Sequence, residues 1–254
     1  MVRPACAGPP GDLSSLRRQV LWRQVMKLCR RASAFVALSD ALVEELIDFG
    51  CPAQRIHRIP AGMALPEAVR APSEAPPVVL FAGRLDAQKG LPVLIEAWRH
   101  VVDRYGEARL VLLGEGPQRA VLEALARRLD LTGSVTFAGV VRDVPERLAR
   151  ARAFVLPSTA EGMSSALMEA MAAGRAVVAT RISGTSELIA DGAHGLLVEV
   201  GDVAGLAAAL ERVLADPDLA DRLGRQARQR VRRHYAVARL ADAHLALYRD
   251  LLRR

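Results

Sequence analysis

From residue 77 onward one pattern recurs along the chain: a short apolar run, a turn rich in glycine or polar residues, then a longer segment with helical spacing. The apolar runs are PVVLFAG, ARLVLLG, SVTFAG, AFVLPS, AVVAT and GLLVE. Between and after them stand GLPVLIEAWRHVVDRYG, PQRAVLEALARRLDL, DVPERLARA, SSALMEAMAAG, TSELIADG and VAGLAAALERVLAD. A strand with one wet face alternates polar and apolar side chains, whereas a strand covered on both faces is apolar almost throughout. The pattern therefore predicts an α/β domain over residues 78–234: a Rossmann-like parallel sheet with helices on both faces. No internal sequence repeat underlies it.

The segments on either side read differently. Residues 1–14 (MVRPACAGPPGDLS) form an expected disordered lead-in without the apolar core of a secretory signal. Residues 15–31 have helical spacing and many bases, with Trp22 beside a Leu/Val face. AFVALS reads as a strand, and SDALVEELIDFG as a helix begun by Ser39 or Asp40 and stopped by Gly50. RIHRIPAGM reads as another strand ending in a turn. Residues 66–77 are a Pro/Ala-rich linker and the expected domain boundary. Two helices are expected after the Asp216–Pro217 break, the last forming a helical C-terminal tail over residues 235–254.

Charge and cysteine content limit the partners. The net charge of +7 comes almost entirely from arginine, since only Lys27 and Lys89 of the 35 basic residues are lysine. No nucleic-acid-binding motif accompanies it, so no nucleic acid is expected. The basic helix over residues 15–31 has the composition of one that lies on an anionic membrane surface. No run approaches the ~18–20 apolar residues of a spanning helix. Three cysteines and five scattered histidines lack metal-ligand spacing, so reduced thiols, a cytoplasmic location and no metal site are expected.

In a parallel sheet of this kind ligands bind outside the C-terminal ends of the strands, which directs attention to the loops there. The first is GRLDAQKG, residues 83–90, where Arg84 and Lys89 bracket a polar turn into a helix, an arrangement suited to a diphosphate. It is not a Walker A loop: Gln88 and Gly90 stand where Gly and Ser/Thr are required. The second, GEGPQR from Gly114, has G-x-G but Arg119 at the third glycine position, and no acid closes the next strand. A dinucleotide is therefore not expected. The third, EGMSSALMEAMAAG, places Glu161 before a helix and Glu169 inside it. Ser158 and Glu161 have capping-box spacing, although Gly162 would then fall inside the first turn and Ser164 or Ser165 offers a better start. Glu169 can be read as a first-turn acid favoured by the helix dipole. Alternatively both carboxylates face the crevice, where ionised oxygens accept hydrogen bonds from the vicinal hydroxyls of a sugar.

Taken in order, GRLDAQKG, EGMSSALMEAMAAG and VVATRISGTSELIADGAHGLLVEVGD resemble the C-terminal, donor-binding domain of family 4 retaining glycosyltransferases with the GT-B fold. The resemblance runs from about residue 77 to the end and, more loosely, back to residue 31. It implies a nucleotide-diphosphate sugar as donor substrate and no further cofactor. It implies that Arg84, Lys89 and Glu161 serve catalysis, the two cations on the diphosphate and Glu161 on the transferred sugar. Glu169 would hold the ribose hydroxyls, the backbone of Gly162, Met163, Ser164 and Ser165 the distal phosphate, and Gly83, Gly114, Val140 and Arg142 the remaining nucleotide contacts. The chain departs from the family pattern at Ser164, where glycine is common, and at Ser183, the first glycine of a GG-x-x-E block; Glu187 is accordingly a weaker candidate. Residues 15–65 correspond to a remnant of the acceptor-side domain, and His57 does not occupy the position of that domain's active-site histidine. The implied function is sugar transfer with retention, incomplete in this chain, to a glycan, lipid or small-molecule acceptor. The alternative is a non-catalytic nucleotide-sugar-binding module or one subunit of a split enzyme.

Overall fold

The computed structural model describes residues 31–253. The lead-in and nearly all of the basic helix expected over residues 15–31 lie outside them. The larger unit is a six-stranded, wholly parallel sheet of β3 (Val78–Ala82), β4 (Arg109–Leu113), β5 (Val135–Gly139), β6 (Ala153–Leu156), β7 (Ala176–Thr180) and β8 (Leu196–Val198), in the order β5-β4-β3-β6-β7-β8. β6 and β7 are interior strands of the sheet and are buried at every position, which is why AFVL and AVVAT contain no charge. On one face α2 (Leu91–Arg104) packs against α3 (Arg119–Arg128) and α7 (Val203–Ala215). On the other, α5 (Ser165–Ala172) packs against α8 (Pro217–His234). The short α4 (Val144–Ala149) and α6 (Ser183–Leu188) complete the crossovers.

Local chemistry sets most boundaries. Asp216 caps α8 by accepting from the Leu219 N–H at 2.9 Å, with Pro217 in the first turn, as the Asp216–Pro217 break predicts. Ser164 caps α5, accepting from the Leu167 N–H at 3.4 Å. α6 begins earlier than the spacing suggests, at Ser183, because Thr185 Oγ1 accepts from the Ile182 N–H at 3.2 Å and tightens the turn after β7.

A smaller unit stands beside the sheet. β1 (Phe35–Ala37) and β2 (Ile56–Arg58) pair in parallel, and α1 (Asp40–Asp48), capped by Ser39, connects them. Side chains alternate along β1. Phe35 and Ala37 meet Leu42 and Leu46 of α1, while Ala34 and Val36 meet Leu240 and Leu247 of α9 (Val237–Leu252). The C-terminal helix is thus the second layer of this N-terminal unit. The two chain crossings between the units run side by side: the Met63 N–H donates to Tyr235 O at 2.7 Å, and the Val237 N–H to Met63 O at 3.0 Å.

The proline-rich segment 66–77 is fastened down along its length. Arg228 donates to Pro66 O, Arg175 to Arg70 O, Arg152 to Ala75 O, and Asp221 accepts from both Ser73 N–H and Ser73 O–H. Arg175 is fully buried and also donates to the carbonyls of Ala151 and Ala173, at 2.9 and 3.0 Å. Burial lowers its guanidinium to about 10.

Candidate functional site

β3 and β6 are neighbours, yet the chain leaves β3 toward β4 and β5 and leaves β6 toward β7 and β8. Their C-terminal ends therefore flank the point where the strand order reverses, the end at which sheets of this kind bind ligands, and the loops at residues 83–90 and 157–164 leave the sheet side by side there. In the first loop Asp86 caps a single 3-10 turn, Ala87–Lys89, with Oδ1 accepting from the Gln88 N–H at 3.1 Å. The second loop is tied to the first: the Thr159 N–H donates to Gln88 O at 2.8 Å, and Gln88 Nε2 to Ala160 O at 2.6 Å.

These ties bring together two side chains 72 positions apart. Lys89 Nζ lies 2.5 Å from Glu161 Oε1, with the lysine side chain 18% and the glutamate side chain 10% exposed. The buried Ser158 donates its hydroxyl to the same carboxylate oxygen at 2.8 Å. Ser158 thus engages Glu161 directly and caps no helix, since α5 starts seven residues later. Lysine has three N–H donors and a carboxylate two acceptor oxygens. Two Lys89 N–H groups and Glu161 Oε2 remain for a ligand.

Behind Glu161 a relay of hydroxyls holds the loop. Thr180 Oγ1 donates to Ser158 O, and Thr185 Oγ1 donates to Thr180 O. Gly184 permits this packing, because a Cβ there would stand 1.8 Å from Gly162 O and 2.5 Å from Glu161 O. Of the two positions that the GG-x-x-E pattern makes glycine, 184 is the one pressed against the loop that carries Glu161. Ser183 opens α6.

The remaining sequence candidates fall into separate places. Gly83, Arg84, Gly114 and Val140 line a cavity of about 310 Å³ over the ends of β3, β4 and β5, together with Glu115 and Val144. Gly114 is confined there: its φ is 137°, and a Cβ would lie 1.8 Å from Gly83 O. Arg84 is largely exposed, with Nε 3.7 Å from Asp86 Oδ2. Glu115, which the G-x-G spacing did not single out, is held by an ion pair to Arg119. Val140 is exposed on the rim, and Arg142, also exposed, lines neither this cavity nor the next.

Glu169 does not share a cavity wall with Glu161. It lines a larger apolar cavity of about 540 Å³ with Leu65, Pro66, Val69, Pro145 and Leu148. The two cavities flank the first turn of α4, Val144 lining one and Pro145 the other. The Glu169 carboxylate has no hydrogen-bonded or ionic partner among the described residues, and burial pushes it above the usual range. Gly162, Met163, Ser164 and Ser165 form the entry to α5. Met163 also packs against both units and accepts from the Ala61 N–H at its Sδ, 3.3 Å away.

Glu187 has a different task. Its carboxylate accepts from the Asp40 N–H at 2.9 Å and pairs with Arg58 at 3.1 Å, while its carbonyl accepts from Arg230 at 2.7 Å. It joins the small unit to the large one. His57 lies on β2 within the small unit. Among the described residues no three His, Cys, Asp or Glu side chains gather as a metal site would require, and no helix is long and apolar enough to cross a membrane.

The sequence profile of the glycosyl transferases group 1 matches residues 67–230, and that of glycosyltransferase family 4 matches residues 7–65. The chain is similar to the alpha-D-kanosaminyltransferase of Streptomyces kanamyceticus: 30% identity over 238 residues, 87% of this chain and 61% of that protein. It is also similar to the lipopolysaccharide core biosynthesis glycosyltransferase LpsE of Rhizobium meliloti: 37% identity over 176 residues, 69% of this chain and 50% of that protein. It spans between half and three-fifths of the length of these two relatives. Its fold matches Anabaena Alr3699/HepE, solved in complex with UDP and glucose, with a TM-score of 0.86 at 22% identity over 98% of this chain and 71% of that one.

Proposed function

The chain belongs to the glycosyl transferases group 1, and from that premise we propose that it carries the donor site of a retaining transferase that moves a sugar from a nucleoside-diphosphate sugar to an acceptor hydroxyl. The observation that carries the reading is the Lys89–Glu161–Ser158 cluster, largely buried at the point of strand reversal. The ammonium of Lys89 orients Glu161 while its other N–H groups reach phosphate oxygens. Glu161 Oε2 accepts from a hydroxyl of the transferred sugar. Arg84, on the wall of the neighbouring cavity, adds the second positive charge. As the bond from sugar to diphosphate breaks, negative charge grows on the leaving group, and these preorganised cations lower the barrier without a metal ion. The free N–H groups at residues 162–165, at the entrance of α5, take the distal phosphate. Glu169, the unpartnered carboxylate of the apolar cavity, takes the ribose diol, and the base lies near Gly83, Gly114 and Val140, with Arg142 on the exposed turn beside them. The acceptor is a glycan, lipid or small molecule presented from the side of the small unit.

Calorimetric titration with UDP-, GDP- and ADP-sugars tests this. One nucleotide class is expected to bind, with affinity lost in Lys89→Ala and Glu161→Ala. Equal binding by the wild type and both variants would overturn the assignment.

A further inference from the structure

The C-terminal half of α8 borders a second polar cavity, of about 190 Å³, facing the turn that precedes β8. Besides Ala193 it is lined by six polar residues: His194, Gln226, Gln229, Arg230, Arg233 and His234. All six side chains can donate hydrogen bonds and none is acidic. The nearby carboxylates are engaged elsewhere: Glu187 with Asp40 and Arg58, and Asp191 with Arg181 and the Leu197 N–H.

The donors facing this cavity lack acceptors. The Nδ1 of His194 accepts from the Ala190 N–H at 3.1 Å, which leaves the ring proton on Nε2. Arg230 uses Nη2 on Glu187 O, but its Nε is buried with no partner. A buried donor left unmatched is costly, and each one in a folded protein asks for an explanation. The side chains of Arg233, Gln226 and Gln229 have no partner among the described residues. Burial, and then the charges of Arg230 and His234, hold the His194 imidazole below its usual range. The volume is many times what one water needs, ~10–15 Å³.

We propose that this cavity binds a phosphate group, with the Arg233 guanidinium and His194 Nε2 as its donors and the Arg230 guanidinium adding positive charge beside them. A tetrahedral oxyanion supplies several acceptor oxygens and up to two charges, and so matches these donors better than a carboxylate. The site is separate from the donor site: β7 stands between β8 and β6, a displacement of about 10 Å across the sheet. It does not depend on the nucleotide-sugar reading. The phosphate group has two possible sources, free phosphate or a lipid headgroup.

The chain has five histidines, so the Cε1–Hε1 correlations of ¹³C-histidine-labelled protein form a short spectrum with its own controls. Inorganic phosphate, titrated at constant ionic strength against chloride, is expected to move the His194 and His234 signals saturably and leave His100 in place. Arg233→Gln, a change at an exposed position, is expected to weaken that response at least ~10-fold, whereas Arg128→Gln, which removes the same charge elsewhere, leaves it unchanged. In a parallel arm, vesicles of phosphatidylglycerol that perturb the same two signals where phosphatidylcholine does not would identify the source as a headgroup. Silence of both signals toward phosphate and vesicles, or an equal loss in Arg128→Gln, would overturn the proposal.

Discussion

Replacing Gly184 by alanine adds one methyl group, and the structure states where it must go. The new Cβ would lie 1.8 Å from Gly162 O, 2.5 Å from Glu161 O and 2.8 Å from Gly162 C, whereas real Cβ contacts essentially never fall under 3.0 Å. All three obstacles are backbone, so no side chain can rotate away; the loop or α6 must move by more than 1 Å. Overpacking of this kind costs about 1–3 kcal/mol of stability. If the loop moves, the 2.5 Å contact between Lys89 and Glu161 opens beyond hydrogen-bonding distance. A hydrogen bond to a charged group contributes about 1.5–3 kcal/mol, so donor affinity should fall roughly 10- to 100-fold. Thermal melting and calorimetry with the nucleotide sugar that binds the wild type measure both effects. Gly133→Ala is the control, because its added Cβ meets nothing within 4 Å and its φ is not positive. Wild-type melting and wild-type donor affinity in Gly184→Ala would refute the claim that α6 braces the loop. A loss of stability with unchanged affinity would refute the link to Glu161 alone.

Three further outcomes are expected. Burial holds the Glu169 carboxyl above its usual range, so the folded chain binds that proton more tightly than the unfolded chain does, and the associated stability is lost as pH rises through the raised value. Glu169→Gln should therefore melt higher than the wild type at neutral pH, with the difference vanishing below the ordinary carboxylate range, while nucleotide affinity drops about tenfold from loss of the charged acceptor; a pH series of melting curves checks the sign. Glu187→Ala removes the acceptor of the Asp40 N–H and the partner of Arg58, which should cost about 1–2 kcal/mol and accelerate amide exchange at the start of α1 but not in α7. Arg175→Met leaves the carbonyls of Arg70, Ala151 and Ala173 unmatched in the interior; a cost of about 3 kcal/mol lowers Tm by about 6–12 °C, with donor affinity unchanged because the residue lies at the opposite end of β7.

The sequence by itself determined what is written locally. Strands buried on both faces must be apolar throughout, so AFVL and AVVAT announced a parallel sheet before any contact was known. Ser39, Ser164 and the Asp216–Pro217 pair marked helix starts because a cap acts within three residues of itself. The loops after β3 and β6 could be singled out as ligand-bearing because parallel sheets place such loops at one end. Tertiary structure decided whatever depends on distant partners. Lys89 and Glu161 meet only because strand reversal sets β3 beside β6. Glu169, eight residues from Glu161, lines a cavity of its own because it sits inside α5 while Glu161 lies in the loop before that helix. Glu187 joins the two units through Asp40 and Arg58, more than half a chain away. Gly184 resembles any loop glycine until the carbonyl it must clear is in place. The C-terminal helix, a tail in the sequence, covers the second face of β1, since a two-stranded sheet with one face bare would expose Ala34, Val36 and Ile59 to water.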